Sequence, residues 1–434
     1  MKKINIVLIH THDTGRYISP YGYNAKTTNI QKIANIGSVY RNFFTAAPTC
    51  SPSRSALMTG LYPHQNGMFG LAHRGSRLND YEGHLSNFLK NLNFETALFG
   101  IQHEISKKNL AELGYNKSFC INTNDSNKIS STASKWIKNY NHKKPFFISV
   151  GFFDTHREYV KQISKNFNPN WIRPPELFVD NKEMREDMAR FYSSLEKIDF
   201  GVGKIFNTLK EKKLLNNTLL LLTTDHGIAW PGMKCNLNDH GTGIFLVAYL
   251  KNVFDGGVVY DDLTSNVDIY FTICKVLNLK SPKNLSSFIL PNKMYKGEKR
   301  KYVFSEVNIH TSIEPSRSIR SKRFKLIKRL NNRRKLNLSN IDESYSKSFL
   351  LKHGLRSFKK DKEEFYDLFL DPLERKPIKN YKKYKDYKLL NKELMNFRKR
   401  TRDPLLKKNF KWPKEIQLTP ENEENPEIII NCQD

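Results

Sequence analysis

The sequence predicts an α/β fold: a large, mostly parallel sheet flanked by helices, followed by a smaller C-terminal α+β unit. Three observations predict it. Short, nearly continuous apolar runs of the kind found in buried parallel strands alternate with helical periodicity. Polar clusters follow the C-terminal ends of those runs, where the sites of parallel α/β sheets lie. The pattern then changes near Pro291 to short strands. Taken in order, residues 5–9 form the first strand and end at His10-Thr11-His12-Asp13. Residues 28–36 form a helix, with Thr28 and Gln31 as its capping box. Residues 81–92 read as an amphipathic helix, 96–100 as a strand, 134–140 as a helix and 146–153 as a strand ending at Asp154-Thr155-His156-Arg157. Met188, Phe191, Leu195, Ile198, Val202 and Ile205 lie on one face of a long helix. Residues 218–222 form a buried strand ending at Thr224-Asp225-His226-Gly227; 245–250 form a strand and 267–277 a helix. Beyond Pro291, residues 302–304, 317–320 and 324–327 read as strands and 387–400 as a helix. Residues 331–347 read as a mobile basic loop, and the acidic tail after Pro420 as disordered. The division expected is 1–295 for the large unit and 296–434 for the small one, with its antiparallel sheet, helix and tail.

With 434 residues and 38% hydrophobic content the chain can bury a large core. Its formal net charge of +29 favours polyanionic partners such as sulfated glycans, nucleic acid or an acidic membrane surface. Much of that charge is Lys in a Lys-, Asn- and Ile-rich chain, a bias that genome composition also produces, so charge alone selects no partner. No nucleic-acid-binding motif, nucleotide-binding glycine loop or internal repeat is present, and no specific nucleic-acid partner is expected. The five cysteines, odd in number, contain no CxxC pair, which argues against both a disulfide framework and a structural zinc site. No run spans a bilayer. Met1-Lys2-Lys3 leads straight into the first strand with no export signal, so a cytoplasmic location is expected. A start placed downstream of a signal peptide would look the same and would make the protein periplasmic.

The chain is organised around Cys50-Ser51-Pro52-Ser53-Arg54, continued by Leu57, Met58, Thr59 and Gly60. Pro52 and Ser53 suit a helix start and Gly60 its end, which aims backbone N–H groups at an anion beside Cys50. The stretch resembles the signature of sulfatases, in which Cys-x-Pro-Ser-Arg is followed by a Leu/Met-Thr-Gly close. The resemblance covers nearly the whole chain and implies the alkaline phosphatase-like (sulfatase) fold. It implies that a formylglycine-generating maturation enzyme converts Cys50 to formylglycine (3-oxoalanine). One hydroxyl of the hydrated aldehyde attacks sulfur, and deprotonation of the other expels sulfate. Serine or unmodified cysteine lacks that second hydroxyl. Arg54 would hold the formylglycine oxygens and nearby carboxylates.

By the same resemblance, one divalent ion would be held by His12, Asp13, Asp225 and His226 together with modified Cys50. Calcium is the ion the family implies, but His12 and His226 stand where Asp and Asn are commoner, and two imidazoles favour manganese or zinc. His10 is a weaker ligand candidate. His103 would deprotonate the second hydroxyl, His156 would serve the leaving atom as general acid, and Lys234 would contact sulfate. The family's sulfate-binding Lys is replaced by Ile101, with Gln102 as a neutral donor in its place. The stretch 64–71, with Gln65 and Asn66, resembles N-sulfoglucosamine sulfohydrolases (sulfamidases) and their bacterial relatives. His73, Arg74, Glu306 and His310 are the further candidates for a sugar pocket.

The expected activity is hydrolysis of a sulfate ester or sulfamate, on a sugar. The alternatives are a phosphonate or phosphodiester hydrolase of the same superfamily, which the two histidines favour, and a degenerate protein that grips sulfated glycans, which Ile101 favours.

Overall fold

The computed structural model describes residues 3–432 except 142, 283, 284, 286 and 296–298. Met1 and Lys2 lie outside the described residues, as do residues 296–298, just past the expected division. Among the described residues the large sheet has eight strands: β1 (Asn5–Thr11), β2 (Ser38–Tyr40), β3 (Glu95–Gly100), β4 (Lys117–Phe119), β5 (Phe146–Gly151), β6 (Thr218–Thr224), β7 (Leu246–Tyr249) and β8 (Val258–Tyr260). Their order is β4-β3-β5-β1-β6-β7-β2-β8. The four central strands β3, β5, β1 and β6 are parallel, as their apolar character requires, and His10 of β1 stands level with Gly151 and Thr223. That register brings the ends of all four strands to one edge. β7 runs antiparallel to β6 and β2, which a short apolar run does not reveal.

Helices cover both faces. α1 (Thr28–Ile36) and α4 (Lys182–Glu211) pack on one side, with α3 (Ser126–Asn139) between α4 and the sheet edge, and α2 (Cys50–Thr59) and α5 (Asp268–Val276) pack on the other. The cap of α1 differs from the expected box. Its N-cap is Thr27, whose hydroxyl is engaged with Ser19. The free N–H groups of Asn29 and Ile30 donate instead to the Asp199 carboxylate of α4, at 3.1 and 2.8 Å. The helix expected over 81–92 forms only over Leu85–Asn91, because His84 caps it. α3 begins eight residues earlier than expected, at the Asp125 cap.

The C-terminal unit is an antiparallel sheet of β9 (Val303–Ile309), β10 (Ile313–Arg320), β11 (Phe324–Arg329) and β12 (Glu363–Asp367), covered by α6 (Lys385–Arg400). Leu390, Leu394 and Phe397 of α6 pack on Phe304, Ile319, Leu326 and Phe365, in a core that also includes Ala46, Ala56 and Tyr62 of the large unit. β9 is stitched to the segment before the cysteine motif: Ser305 Oγ donates to Thr45 O at 2.6 Å and Glu306 N to Ala46 O at 2.8 Å. The segment 331–347 is not a loose loop. Asn337, Ser339 and Asn340 are buried, and Asn340 Oδ1 accepts from Thr311 N at 2.9 Å and Ser312 N at 3.1 Å. The acidic tail is folded back as well, with Gln417–Leu418 paired to Ile430–Asn431.

A buried polar network joins the units. Glu306 accepts from His64 N at 2.8 Å and pairs with the His64 ring, whose Nε2 meets Thr401 Oγ1 at 2.8 Å. Arg317 donates to both oxygens of Asp403, at 2.9 and 3.0 Å, and Arg398 adds a third bond at 2.7 Å. Burial pushes both carboxyls up, but His64 and Arg317 at Glu306, and Arg317 at Asp403, outweigh it and hold both below the usual range. Removing Arg317 would leave these charges buried without their partner. Arg317→Met is therefore expected to lose about 3–5 kcal/mol of stability at pH 7, measured by urea unfolding. The depressed carboxylates stabilise above their unfolded pKa of about 4, and that contribution is lost as pH falls, so the gap to wild type should narrow in acid.

Candidate active site

Cys50 is the first residue of α2, at the strand-end edge of the large sheet. Ser53 fixes the helix start: its hydroxyl donates to Asp225 O at 2.6 Å and accepts from Thr45 Oγ1 at 2.7 Å. Asn266 adds bonds to Ala46 N at 2.9 Å and Ser53 O at 3.0 Å. Gly60 closes the helix with φ +69°, where a side chain would be strained. Cys50 is 3% exposed. Burial pushes its thiol far up despite the pull of Lys234, so the unmodified side chain stays protonated and is a poor nucleophile at neutral pH.

Beside Cys50 lie two carboxylates and two imidazoles. His12, Asp13, Cys50 and Asp225 each bring a ligand atom within 4.8 Å of the others, and all four are buried. His226 Nε2 lies 3.3 Å from Asp13 Oδ1 and 3.4 Å from Cys50 Sγ. Its Nδ1–H donates to Gly227 O at 2.9 Å; a carbonyl only accepts, so the lone pair is left on Nε2, facing the cluster. Both His12 ring nitrogens and Asp13 Oδ1 are buried without a hydrogen-bond partner. Burial, then Arg54, pushes the His12 ring well below its ordinary pKa and keeps it neutral. A buried, neutral His12 ring and an unsatisfied Asp13 oxygen, beside Asp225 and His226, fit a divalent cation.

The other polar groups surround this point. Arg54 donates to Asp225 Oδ2 at 3.0 Å, Thr11 O at 2.9 Å and His10 Nδ1 at 2.5 Å. His10 Nε2 meets Ser149 Oγ at 2.9 Å, so His10 orients Arg54 and is not free as a ligand. The His103 ring is 4.7 Å from that of His12, with Nδ1 unpartnered. His156 stacks on Phe153 at 4.4 Å and donates from Nδ1 to Arg157 O at 2.5 Å, leaving Nε2 for other work. Lys234 Nζ lies 3.0 Å from Asp13 Oδ2 and 3.0 Å from Asp342 Oδ2. Gln102 does not replace the missing cation: its amide accepts from Glu104 N and Ile105 N and donates to Ile105 O at 2.7 Å.

The structure divides the sugar-pocket candidates. Gln65 Oε1 accepts from Tyr62 N at 3.1 Å as part of a helix cap. Asn66 is buried and spends its amide on Ser55, Thr59 and Met68. Glu306 is fully buried in the His64–Arg317 network. These three hold the fold rather than line the cleft. His73 is exposed, 6.1 Å from the His103 ring, and His310 lies in the field of Lys234 and Asp342. Arg74 is bound to the tail through Thr419 Oγ1 at 3.0 Å and Pro426 O. Two groups escape sequence reasoning. Asp342 comes from the segment read as a loop. Glu104 lies beneath Arg54, its carboxyl pushed up to about 7 by burial against the pull of Arg54. Only Glu104's position next to His103 hints at its place.

Residues 4–279 match the Sulfatase family. The human N-sulphoglucosamine sulphohydrolase is 27% identical over 309 residues, covering 64% of this chain and 61% of that protein. An ulvan-active sulfatase of Formosa agariphila is 27% identical over 441 residues, covering 95% of this chain and 80% of that one. A solved 2-O GAG sulfatase superposes with a TM-score of 0.71 at 18% identity, covering 92% of this chain and 93% of that one, and so shares the fold. With Cys50 at the helix start of its signature motif and the family match running through the whole large sheet, the chain belongs to the sulfatase family of sulfuric ester hydrolases.

Proposed function

We propose that this chain hydrolyses a sulfate ester or sulfamate on a sugar, using a formylglycine made from Cys50 and one divalent ion. The observation that carries the reading is the buried donor set beside Cys50: His12, Asp13, Asp225 and His226, with orphaned ligand atoms turned toward it. The ion would be held by these four residues and would offset charge on sulfate oxygens. The formylglycine hydrate would supply the attacking hydroxyl and the second hydroxyl whose loss of a proton frees the sulfate. The chain's own groups do the rest. Arg54, fixed by His10, Thr11 and Asp225, fixes the nucleophile's surroundings. Lys234 contacts a sulfate oxygen. His156 gives a proton from Nε2 to the leaving oxygen or nitrogen, and His103 takes one from the second hydroxyl. The names of the human and Formosa relatives support a sugar substrate.

The runner-up is a phosphonate or phosphodiester hydrolase, favoured by two imidazoles in the donor set. Ile101, with Gln102 turned away, favours a glycan-binding protein that no longer turns over. Matured enzyme assayed with an aryl sulfate, N-sulfoglucosamine, a bis-aryl phosphate and an aryl phosphonate separates the three. The highest kcat/KM is expected on a sulfate ester or the sulfamate. A maximum on the phosphorus substrates would move the assignment to the runner-up. No turnover by enzyme whose Cys50 is fully converted would move it to binding.

A further inference from the structure

Lys234 is held between two carboxylates, and only one belongs to the ligand cluster. Asp13 does; Asp342 is brought in by the C-terminal unit, just after the turn Leu338–Asn340. Its backbone is fixed. Asn340 anchors the turn to Thr311 and Ser312, Ser344 Oγ donates to Asp342 O at 3.2 Å, and Lys347 Nζ donates to Ile341 O at 2.9 Å. Its side chain is 21% exposed, while Oδ2, on the Lys234 side, is buried. The groups facing it are Lys234, His156 and His310, with Cys235, Tyr159 and the Asp187-paired Arg157 also in its field. Burial pushes its carboxyl up, but Lys234, then His156 and His310, outweigh this and hold it well below the usual range. It is a fixed negative charge in a pocket that has to receive an anion.

The ionic inventory gives that charge a purpose. Arg54 and Lys234 are positive; Asp13, Asp225 and Asp342 are negative. A bound divalent ion would add two positive charges and His156, carrying the proton it gives as general acid, one more, so the set is net positive and Asp342 lowers that charge by one. A sulfate ester or sulfamate carries one negative charge. A phosphate monoester, whose second pKa is about 6, carries two in neutral solution. Without Asp342 the pocket would carry one more positive charge, which favours a dianion over a monoanion.

We propose that Asp342 is a specificity-determining residue: its carboxylate, set against Lys234, admits singly charged sulfate esters and sulfamates and refuses doubly charged phosphate monoesters. This rests on the sulfatase reading, and its test is chosen to fail separately. In a Cys50→Ala background loaded with manganese, which cannot turn over, calorimetry would measure phenyl sulfate and phenyl phosphate binding with and without Asp342→Asn. At pH 8, Asp342→Asn is expected to tighten phenyl phosphate by about ten- to a hundredfold and phenyl sulfate by about the square root of that, three- to tenfold, since the Coulomb energy scales with the ligand's charge. At pH 5, where phenyl phosphate is mostly a monoanion, the gain should fall to that of phenyl sulfate. Phenyl sulfate, a monoanion at both pH values, controls for protonation of His156 and His310. Asp342→Glu, which keeps the charge, should keep the refusal. Equal changes for both ligands at pH 8, or a gain that persists undiminished at pH 5, would overturn the proposal and leave Asp342 as a prop for Lys234. If matured wild type hydrolysed no sulfate ester or sulfamate, the sulfatase reading would fall whatever these affinities showed.

Discussion

Cys50→Ala is expected to reduce turnover of an aryl sulfate to background while the protein still folds. The effect is the largest available, because the proposed reaction needs two oxygens on one carbon and alanine offers neither. The cost to the fold is small. Cys50 is a first-turn residue whose Sγ makes one polar contact, with His226 Nε2 at 3.4 Å, and Ala suits a helix better. Thermal unfolding should therefore shift by no more than a few degrees. Cys50→Ser separates nucleophile from release: its single hydroxyl can take the sulfate but cannot collapse to an aldehyde, so a stoichiometric sulfate ester should build up and stall. Mass spectrometry of the Cys50 peptide reads both the maturation of wild type and the trapped ester. Undiminished steady-state activity of Cys50→Ala would refute the mechanism.

Stripping the divalent ion should be nearly as severe, with a loss of about a thousandfold or more that readdition reverses. Two of the four ligand candidates, Asp225 and His12, are already in their binding states. Burial pushes the Asp225 carboxyl up, but His226 and Arg54 outweigh it and keep it ionised, while the His12 ring stays neutral. Two imidazoles predict that manganese or zinc restores more activity than calcium, whose preference is for oxygen. The ion should also raise the melting temperature in proportion to its occupancy, a readout independent of turnover. Full activity after verified metal removal would rule the site out.

Much of this site is legible in the sequence because its members lie beside strong local signals. Asp13, His103, His156 and Asp225 each follow a buried apolar run, and Cys50 opens a long contiguous motif, so strand ends and a helix start place them. What escapes is assembled over distance. Asp342 is 108 residues from Lys234, in a polar stretch whose order comes from Asn340 and its bonds to β10's approach rather than from any periodicity. Asp199 caps α1 from 170 residues away, so a local capping box was expected at Thr28 and none formed. Gln65, Asn66 and Glu306 show the converse. Polar residues near a family-like stretch look like ligand contacts, yet each satisfies buried donors of the fold, and only the hydrogen-bond partners tell these roles apart.

The stitching of β9 to the segment before Cys50 bears on how the protein is made. Ser305 and Glu306 are more than 250 residues downstream of the thiol, yet their bonds to Thr45 and Ala46 help close the pocket around it. A modifying enzyme needs the cysteine as an extended, reachable peptide, and the finished fold leaves it 3% exposed. Under the proposed chemistry, maturation is then a race. A ribosome adds about 5–20 residues per second, so the motif stays uncovered for tens of seconds before β9 is even synthesised. Chains that close first are stranded as well-folded thiols, so the active fraction of a preparation records how fast the host modified the nascent chain, not how well the protein folded.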